Sequence, residues 1–284
     1  MENHRYEREL NLALRLARDA GAAILDYYDR PLRVERKTTN DDYNEPVTIA
    51  DRTANELIVR GLRETFPEDG ILAEESIDTE RRLKKSRVWM VDPLDGTRGF
   101  IARSGDFAVQ IGLAVEGRAV VGVVYQPVPD VLYRAAEGQG TWIERAGFEP
   151  ERARVSDESD VRRMRLAASR SHRSQRMDRI IRALGIEEEV RRDSVGVKVG
   201  LIIERQCDLY IHTSPHTKQW DTCAPEAVLS EAGGRMTDLF GGPMRYNVPD
   251  VQNHNGLVAS NGAAHASIIE QLQPLLAEFG RVRV

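Results

Sequence analysis

The chain has 284 residues, 41% hydrophobic and 30% charged, with a formal net charge of −5. That length supports a sizeable core, as one large domain or two moderate ones, and the negative balance excludes the global basic field of a nucleic-acid binder. No apolar run approaches the roughly 20 residues that span a bilayer, and the charged stretch MENHRYEREL lacks the apolar core of a secretory signal. The only cysteines, Cys207 and Cys223, argue against a disulfide framework and for a reducing compartment. A soluble cytoplasmic protein is expected.

Residues 6–28 place Leu10, Leu14, Ala17, Ile24, Leu25 and Tyr28 at helical spacing and end at Asp29-Arg30-Pro31, which predicts a long amphipathic helix. Residues 38–46 (TTNDDYNEP) are polar and aperiodic and read as a mobile loop, with Lys37 just before it. A second helix is expected from Asp51, as N-cap, to about Phe66. Ile71-Leu72-Ala73 reads as a strand running into Glu74-Glu75, and residues 81–87 as a solvated basic connection.

Residues 88–100 (VWMVDPLDGTRGF) carry the densest chemistry. Val88-Trp89-Met90-Val91 predicts a short buried strand, which Pro93 and Gly96 then stop in a tight turn. Asp92 and Asp95 fit an ordinary polar turn, or two oxygen donors for a hard cation such as Mg2+. Gly96 would let a phosphate approach the backbone N–H groups.

Residues 107–115, 119–125 and 131–136 read as strands of an antiparallel meander, and the charged segment 149–163 as a seam between two halves. The expected organisation is an N-terminal α+β part over residues 1–150, with the antiparallel sheet and most acidic candidates, and a C-terminal α/β part over residues 151–284. In the latter a strand at 164–169, a helix at 175–184, a strand near Val190, a helix at 197–205, a strand at 209–212 and a helix at 221–232 alternate, the last stopped by Gly233-Gly234. Asp221 at the mouth of that helix caps it or completes a metal site. His212 and His216 are separated by Pro215, which argues against a helical metal pair.

Glu74-Glu75, then Asp92-Pro93-Leu94-Asp95-Gly96-Thr97, then Trp220-Asp221 with a helix ending at Gly233-Gly234, resembles the inositol monophosphatase superfamily over nearly the whole chain, to about Ser260. Ser169-Arg170-Ser171-His172 and the loop from Ser214 to Glu226 are similar to its 3'(2'),5'-bisphosphate nucleotidase branch, of the CysQ type. One departure stands out: that branch continues the motif with Lys-Glu-Phe or similar, where this chain has Arg98-Gly99-Phe100.

The resemblance implies the layered α-β-α-β-α sandwich of the inositol monophosphatase and fructose-1,6-bisphosphatase type. It also implies a lithium-sensitive phosphomonoesterase that uses two to three Mg2+. Glu74, Asp92, Asp95, Asp221 and the Leu94 carbonyl would hold the ions. Thr97, oriented by Asp51, would position the attacking water for in-line displacement. Gly96 and Thr97 would hold the phosphate, with Asp95 and Asp221 also contacting substrate, and Lys37 matches a family lysine or is a surface residue. Ser169, Arg170, His172, Ser194, Gly196, Lys198 and Lys218 are the candidates for a second phosphate and a base, with His172 either stacking on adenine or packing locally.

The expected activity is hydrolysis of adenosine 3',5'-bisphosphate to AMP and phosphate, clearing a by-product of sulfate assimilation. The alternative is an inositol monophosphatase, and the non-enzyme reading is a regulatory protein that binds phosphate or metal on the same fold. The expected partner is a small phosphorylated molecule bound by a monomer or homodimer, with no nucleic-acid polymer and no membrane.

Overall fold

Burial on both faces organises the chain around residues 87–95, which form a nine-residue strand whose side chains are nearly all inaccessible to solvent. In the computed structural model, residues 5–31, 33–38, 44–170 and 174–284 are described. In chain order the elements are α1 (Glu7–Tyr28), β1 (Glu35–Thr38), β2 (Asn44–Val47), α2 (Ile49–Thr65), β3 (Gly70–Ala73), β4 (Arg87–Asp95), α3 (Thr97–Ile101), β5 (Ala108–Val115), β6 (Arg118–Gln126), β7 (Val131–Ala136), β8 (Thr141–Arg145) and β9 (Glu151–Ala153). There follow β10 (Arg165–Ser169), α4 (Gln175–Leu184), β11 (Glu188–Arg192), α5 (Val195–Ile203), β12 (Leu209–His212), α6 (Gln219–Glu231), β13 (Arg235–Thr237), β14 (Leu257–Ser260) and α7 (His265–Glu278).

Among the described residues, β3 to β9 form a seven-stranded sheet in sequential order, parallel only between β3 and β4. A five-stranded mixed sheet has the order β11-β10-β12-β14-β13. One core lies between α1, α2 and the first sheet and contains Trp89 and Val91. A second fills the space between that sheet, α5, α6 and the second sheet, and contains Val88 and Met90. A third joins the second sheet to α4 and α7. The layers therefore run α-β-α-β-α, as expected.

The middle layer depends on two glycines. Gly112 of β5 and Gly122 of β6 are register partners, and α6 lies directly on them. A Cβ on Gly112 would come within 2.8 Å of the Ala224 nitrogen, and one on Gly122 within 2.4 Å of the Ala224 carbonyl oxygen. Cys223, Ala224 and Ala227 supply small side chains on the helix side. The helix thus sits closer to the sheet than any larger residue pair would allow.

Several expectations change. Residues 38 and 44–46 belong to the antiparallel β1–β2 ribbon rather than to a loop, and residues 39–43 lie outside the described residues. Thr48, not Asp51, is the N-cap of α2; Asp51 is the third helical residue and completes a capping box by accepting from the Thr48 N–H at 2.8 Å. The basic stretch 81–87 is not wholly solvated, because Arg82 is buried, paired to Asp78 at 2.7 Å and hydrogen-bonded to Asn247 and Val248. The β4 ladder also continues past Pro93, re-forming between Asp95 and Ala108. Residues beyond Gly234, with no predicted elements, supply β13, β14 and α7. Both cysteines are buried and free, and no helix among the described residues is long and apolar enough to cross a membrane.

Two outcomes test this packing. Gly122→Ala should destabilise the fold by about 1–3 kcal/mol through overpacking against α6, read as a lower unfolding temperature; an unchanged midpoint would contradict the close approach. His265 sits between Ser260 Oγ (2.8 Å from Nδ1) and Thr237 Oγ1 (2.9 Å from Nε2), and burial lowers its pKa to about 4 from 6.5. Its neutral form is the one the fold accommodates, so its contribution to stability is complete above pH 6.5, declines as pH falls toward 4, and then levels off. His265→Asn should flatten the pH dependence of unfolding in that window, and an unaltered slope would rule out this linkage.

Candidate active site

The two acidic residues of the Asp-Pro-Leu-Asp motif are an odd number of positions apart, so a regular strand would put them on opposite faces. A bulge prevents this. Asp92 pairs with Gln110 and Asp95 with Ala108, leaving Pro93 and Leu94 opposite the single residue Val109. The extra residue restores the parity of Val88, Met90 and Asp92, and both carboxylates open on one cavity.

That cavity has a volume of about 160 Å³ and is lined by residues from both sheets. Glu74, Asp92, Asp95 and Asp221 form its acidic side; Leu94, Gly96 and Thr97 form the turn; Ser169, Lys198, Tyr210, His212 and His216 stand on the side of the second sheet. Glu74 follows β3 and is held beside β4 by its N–H donating to the Val91 carbonyl at 3.0 Å. Asp221 occupies the first turn of α6, where its Oδ2 accepts from the Lys218 N–H at 2.7 Å. Gly96, at φ 93°, makes the left-handed turn from β4 into α3.

Burial dominates the electrostatics. It raises the Asp92 pKa well above the usual carboxylate range, reinforced by the charges of Glu74, Asp95 and Asp221. Asp95 is raised to about 6 by burial, against the opposing pull of Ser194, Gly196 and Lys198. Asp51 also rises to about 6 through burial, although Thr48 donates to it. Lys198 is fully buried and lowered to about 8, with its Nζ donating to the Asp193 carbonyl at 3.0 Å and lying 4.5 Å from the centre of the Tyr210 ring.

The Thr97 hydroxyl is 3.1 Å from Asp51 Oδ1 and 3.3 Å from the Leu94 carbonyl oxygen, and its one proton serves one of them at a time. Asp51 Oδ2 is occupied by the Thr48 N–H and hydroxyl, at 2.8 and 2.6 Å. Asp51 is therefore at once a helix-terminus residue and the partner of Thr97.

Among the described residues, no three acidic, histidine or cysteine side chains stand together as a finished ion cage. The donor set nevertheless fits hard divalent cations. Glu74, Asp92, Asp95 and Asp221 share one cavity, and burial, reinforced by the charges of the other three, raises the Asp92 pKa. Carboxylate oxygens are the donors such cations take, and a bound cation would offset the charge these acids place on one another.

The second-half candidates divide. Ser169 and Lys198 line the cavity. Ser194 and Gly196 do not, because the Ser194 hydroxyl and the Gly196 N–H are both directed to Asp95 Oδ2, at 2.5 and 2.9 Å. Arg170 turns away to Asp106 at 2.8 Å, an acid that also meets Arg192 at 3.3 Å. Lys218 is buried at the start of α6 outside the lining. His172 lies outside the described residues, as does the side chain of Lys37. The Arg98-Gly99 departure has a steric cause, since a Cβ at Gly99 would be 2.4 Å from the Asp106 carbonyl oxygen. His212 and His216, set aside as a helical pair, line the cavity from β12 and the loop after it. Gln110 and Asp106 carried no local signal, whereas Thr48-x-x-Asp51 is a capping-box pattern that sequence alone could have revealed.

The chain matches the inositol monophosphatase family over residues 5–277. It belongs to that family. The chain is 38% identical over 240 residues to the 3'(2'),5'-bisphosphate nucleotidase CysQ of Escherichia coli (strain K12), an alignment covering 84% of this chain and 93% of the relative. It is 27% identical over 263 residues to the inositol-1-monophosphatase of Bacillus subtilis (strain 168), covering 92% and 94%. The crystal structure of CysQ from Bacteroides thetaiotaomicron superposes with a TM-score of 0.76 at 33% identity, covering 91% of this chain and 98% of that one. As a member of the family this protein is a phosphatase.

The lining separates two lysines that the sequence offered together. Lys198→Ala should reduce kcat/KM about tenfold or more, the loss of a charge-assisted contact to an anionic substrate. Lys218→Ala should change KM far less. Equal losses in KM would contradict this assignment of the cavity wall.

Proposed function

We propose that the protein is a Mg2+-dependent 3'(2'),5'-bisphosphate nucleotidase that releases one phosphate from adenosine 3',5'-bisphosphate. The observation that carries this reading is a buried lysine, Lys198, lining the same cavity as the carboxylates of Glu74, Asp92, Asp95 and Asp221. Carboxylates that hold cations account for the scissile phosphate, and a cation of the chain's own in the same lining suits a second anionic group. The 38% identity to the E. coli nucleotidase supports the same choice.

Glu74, Asp92, Asp95, Asp221 and the Leu94 carbonyl would hold two to three Mg2+. When bound, the ions would supply a water of lowered pKa and neutralise charge on the phosphoryl group and the leaving oxygen. The Thr97 hydroxyl, anchored at Asp51 Oδ1, orients the attacking water, and Asp51 holds that hydroxyl in the donor direction. The N–H groups of Gly96 and Thr97, at the turn into α3, bind the phosphate oxygens. Lys198 and Ser169, with His212 or His216 beside them, orient the rest of the substrate. Attack in line needs no nucleophilic side chain. The biological setting that fits is the removal of a nucleotide by-product of sulfate assimilation in the cytoplasm.

Phosphate release in Mg2+ tests the reading directly. Adenosine 3',5'-bisphosphate should exceed inositol 1-phosphate and fructose 1,6-bisphosphate in kcat/KM; a preference for inositol 1-phosphate would keep the metal chemistry and overturn the nucleotide assignment. Asp95→Asn should abolish turnover in a folded protein. Thr97→Ala should lower kcat by about 10²-fold or more with little change in KM, whereas a change in KM alone would make Thr97 a binding residue.

A further inference from the structure

Gln110 is an unexpected residue for its place. It lies in the middle of β5, fully buried, directly opposite Asp92 in the ladder and facing the apolar middle layer near Val124. Its Oε1 is buried and has no hydrogen-bond partner among the described residues. Such a site usually favours a leucine or methionine, since an unpaired buried amide oxygen opposes folding. The one thing that glutamine adds is Nε2, which donates to Asp95 Oδ2 across the bulge.

The same Oδ2 also accepts from the Ser194 hydroxyl at 2.5 Å and from the Gly196 N–H at 2.9 Å. None of these three donors touches Oδ1. Two of them come from the start of α5 and one from β5 of the first sheet, so the carboxylate is held by two separate elements. Of the three, Gln110 alone has no other structural duty: Ser194 also caps α5 by accepting from the Val197 N–H at 3.0 Å, and Gly196 donates through its backbone.

We propose that Gln110 is a positioning residue for metal binding, holding Asp95 Oδ2 so that Oδ1 alone faces the cation site. This rests on the reading of Asp95 as a metal ligand. Partners one shell out from a ligand set its orientation and commonly govern metal affinity about 10–100-fold.

The test uses the full chain freed of divalent ions, with Mg2+ binding followed by calorimetry and unfolding followed without Mg2+. Gln110→Met keeps the length of the side chain and removes the donor. The expected result is an apo unfolding temperature equal to or above that of the unsubstituted protein, together with Mg2+ affinity weakened about tenfold or more. Unchanged Mg2+ affinity would overturn the proposal, and a lower apo unfolding temperature with unchanged affinity would show a purely structural role. Should Gln110→Met fail to fold, Gln110→Asn keeps the amide but is one methylene too short to reach Asp95, and carries the same expectation. Asp95→Asn is measured beside them. If it binds Mg2+ normally, the ligand reading itself fails; if it loses Mg2+ while Gln110→Met does not, only the role of Gln110 fails.

Discussion

The close seating of α6 on the first sheet is the constraint on which the rest depends. Gly112 and Gly122 lie side by side in neighbouring strands, and the backbone of Ala224 fills the space their missing side chains leave. Because Asp221 is in the first turn of the same helix, lowering the helix onto the sheet also brings Asp221 to the end of β4, where Asp92 and Asp95 emerge. Packing density and site assembly are here one event. A larger residue at either glycine would lift a carboxylate away from its partners as well as strain the core.

Once assembled, the cavity stores an electrostatic imbalance. Glu74, Asp92, Asp95 and Asp221 line it together, and burial, reinforced by the charges of the other three, raises the pKa of Asp92 well above that of a free carboxylate. In the same lining Lys198 is buried too, and burial lowers its pKa. Lys198 offsets part of the Asp95 charge while its Nζ donates to the Asp193 carbonyl and it lies against Tyr210, so the acids remain in excess. Such a site favours ligands that bring both signs of charge, cations toward the acids and an anion toward the lysine, which is the chemistry of a phosphate ester with metal ions. Membership of the inositol monophosphatase family agrees with that physical reading.

Much of this was legible in one dimension. The apolar run of β4, the turn at Gly96, the helix of α1 and the meander of β5 to β7 all follow from local periodicity and turn chemistry, whereas Pro93 reads as a breaker but lies inside the strand. Glu74, Asp92, Asp95 and Asp221 could be picked out from the motifs that resemble the family, but Asp193, which also lines the cavity, could not. What local pattern missed was usually a residue with two partners. Asp51 reads as an N-cap, yet Thr48 takes that position and leaves Asp51 free to hold Thr97. Arg82 looks like part of a solvated basic stretch until Asn247, far along the chain, is seen to accept from it.

The sequence by itself determined the mixed α/β character and, through the family its motifs resemble, the layered architecture and the acidic motif residues, because such motifs are carried by residue type and short-range spacing. Only the tertiary structure decided how those residues are used. A bulge changed the parity of β4 so that Asp92 and Asp95 face the same way. The meeting of α5 with the first sheet turned Ser194 and Gly196 toward Asp95, and Asp106 claimed Arg170, while Lys198, unlike Arg170 and Lys218, reached the cavity wall. These outcomes are competitions among distant groups for the same oxygen or the same space, and no local stretch of sequence contains both competitors.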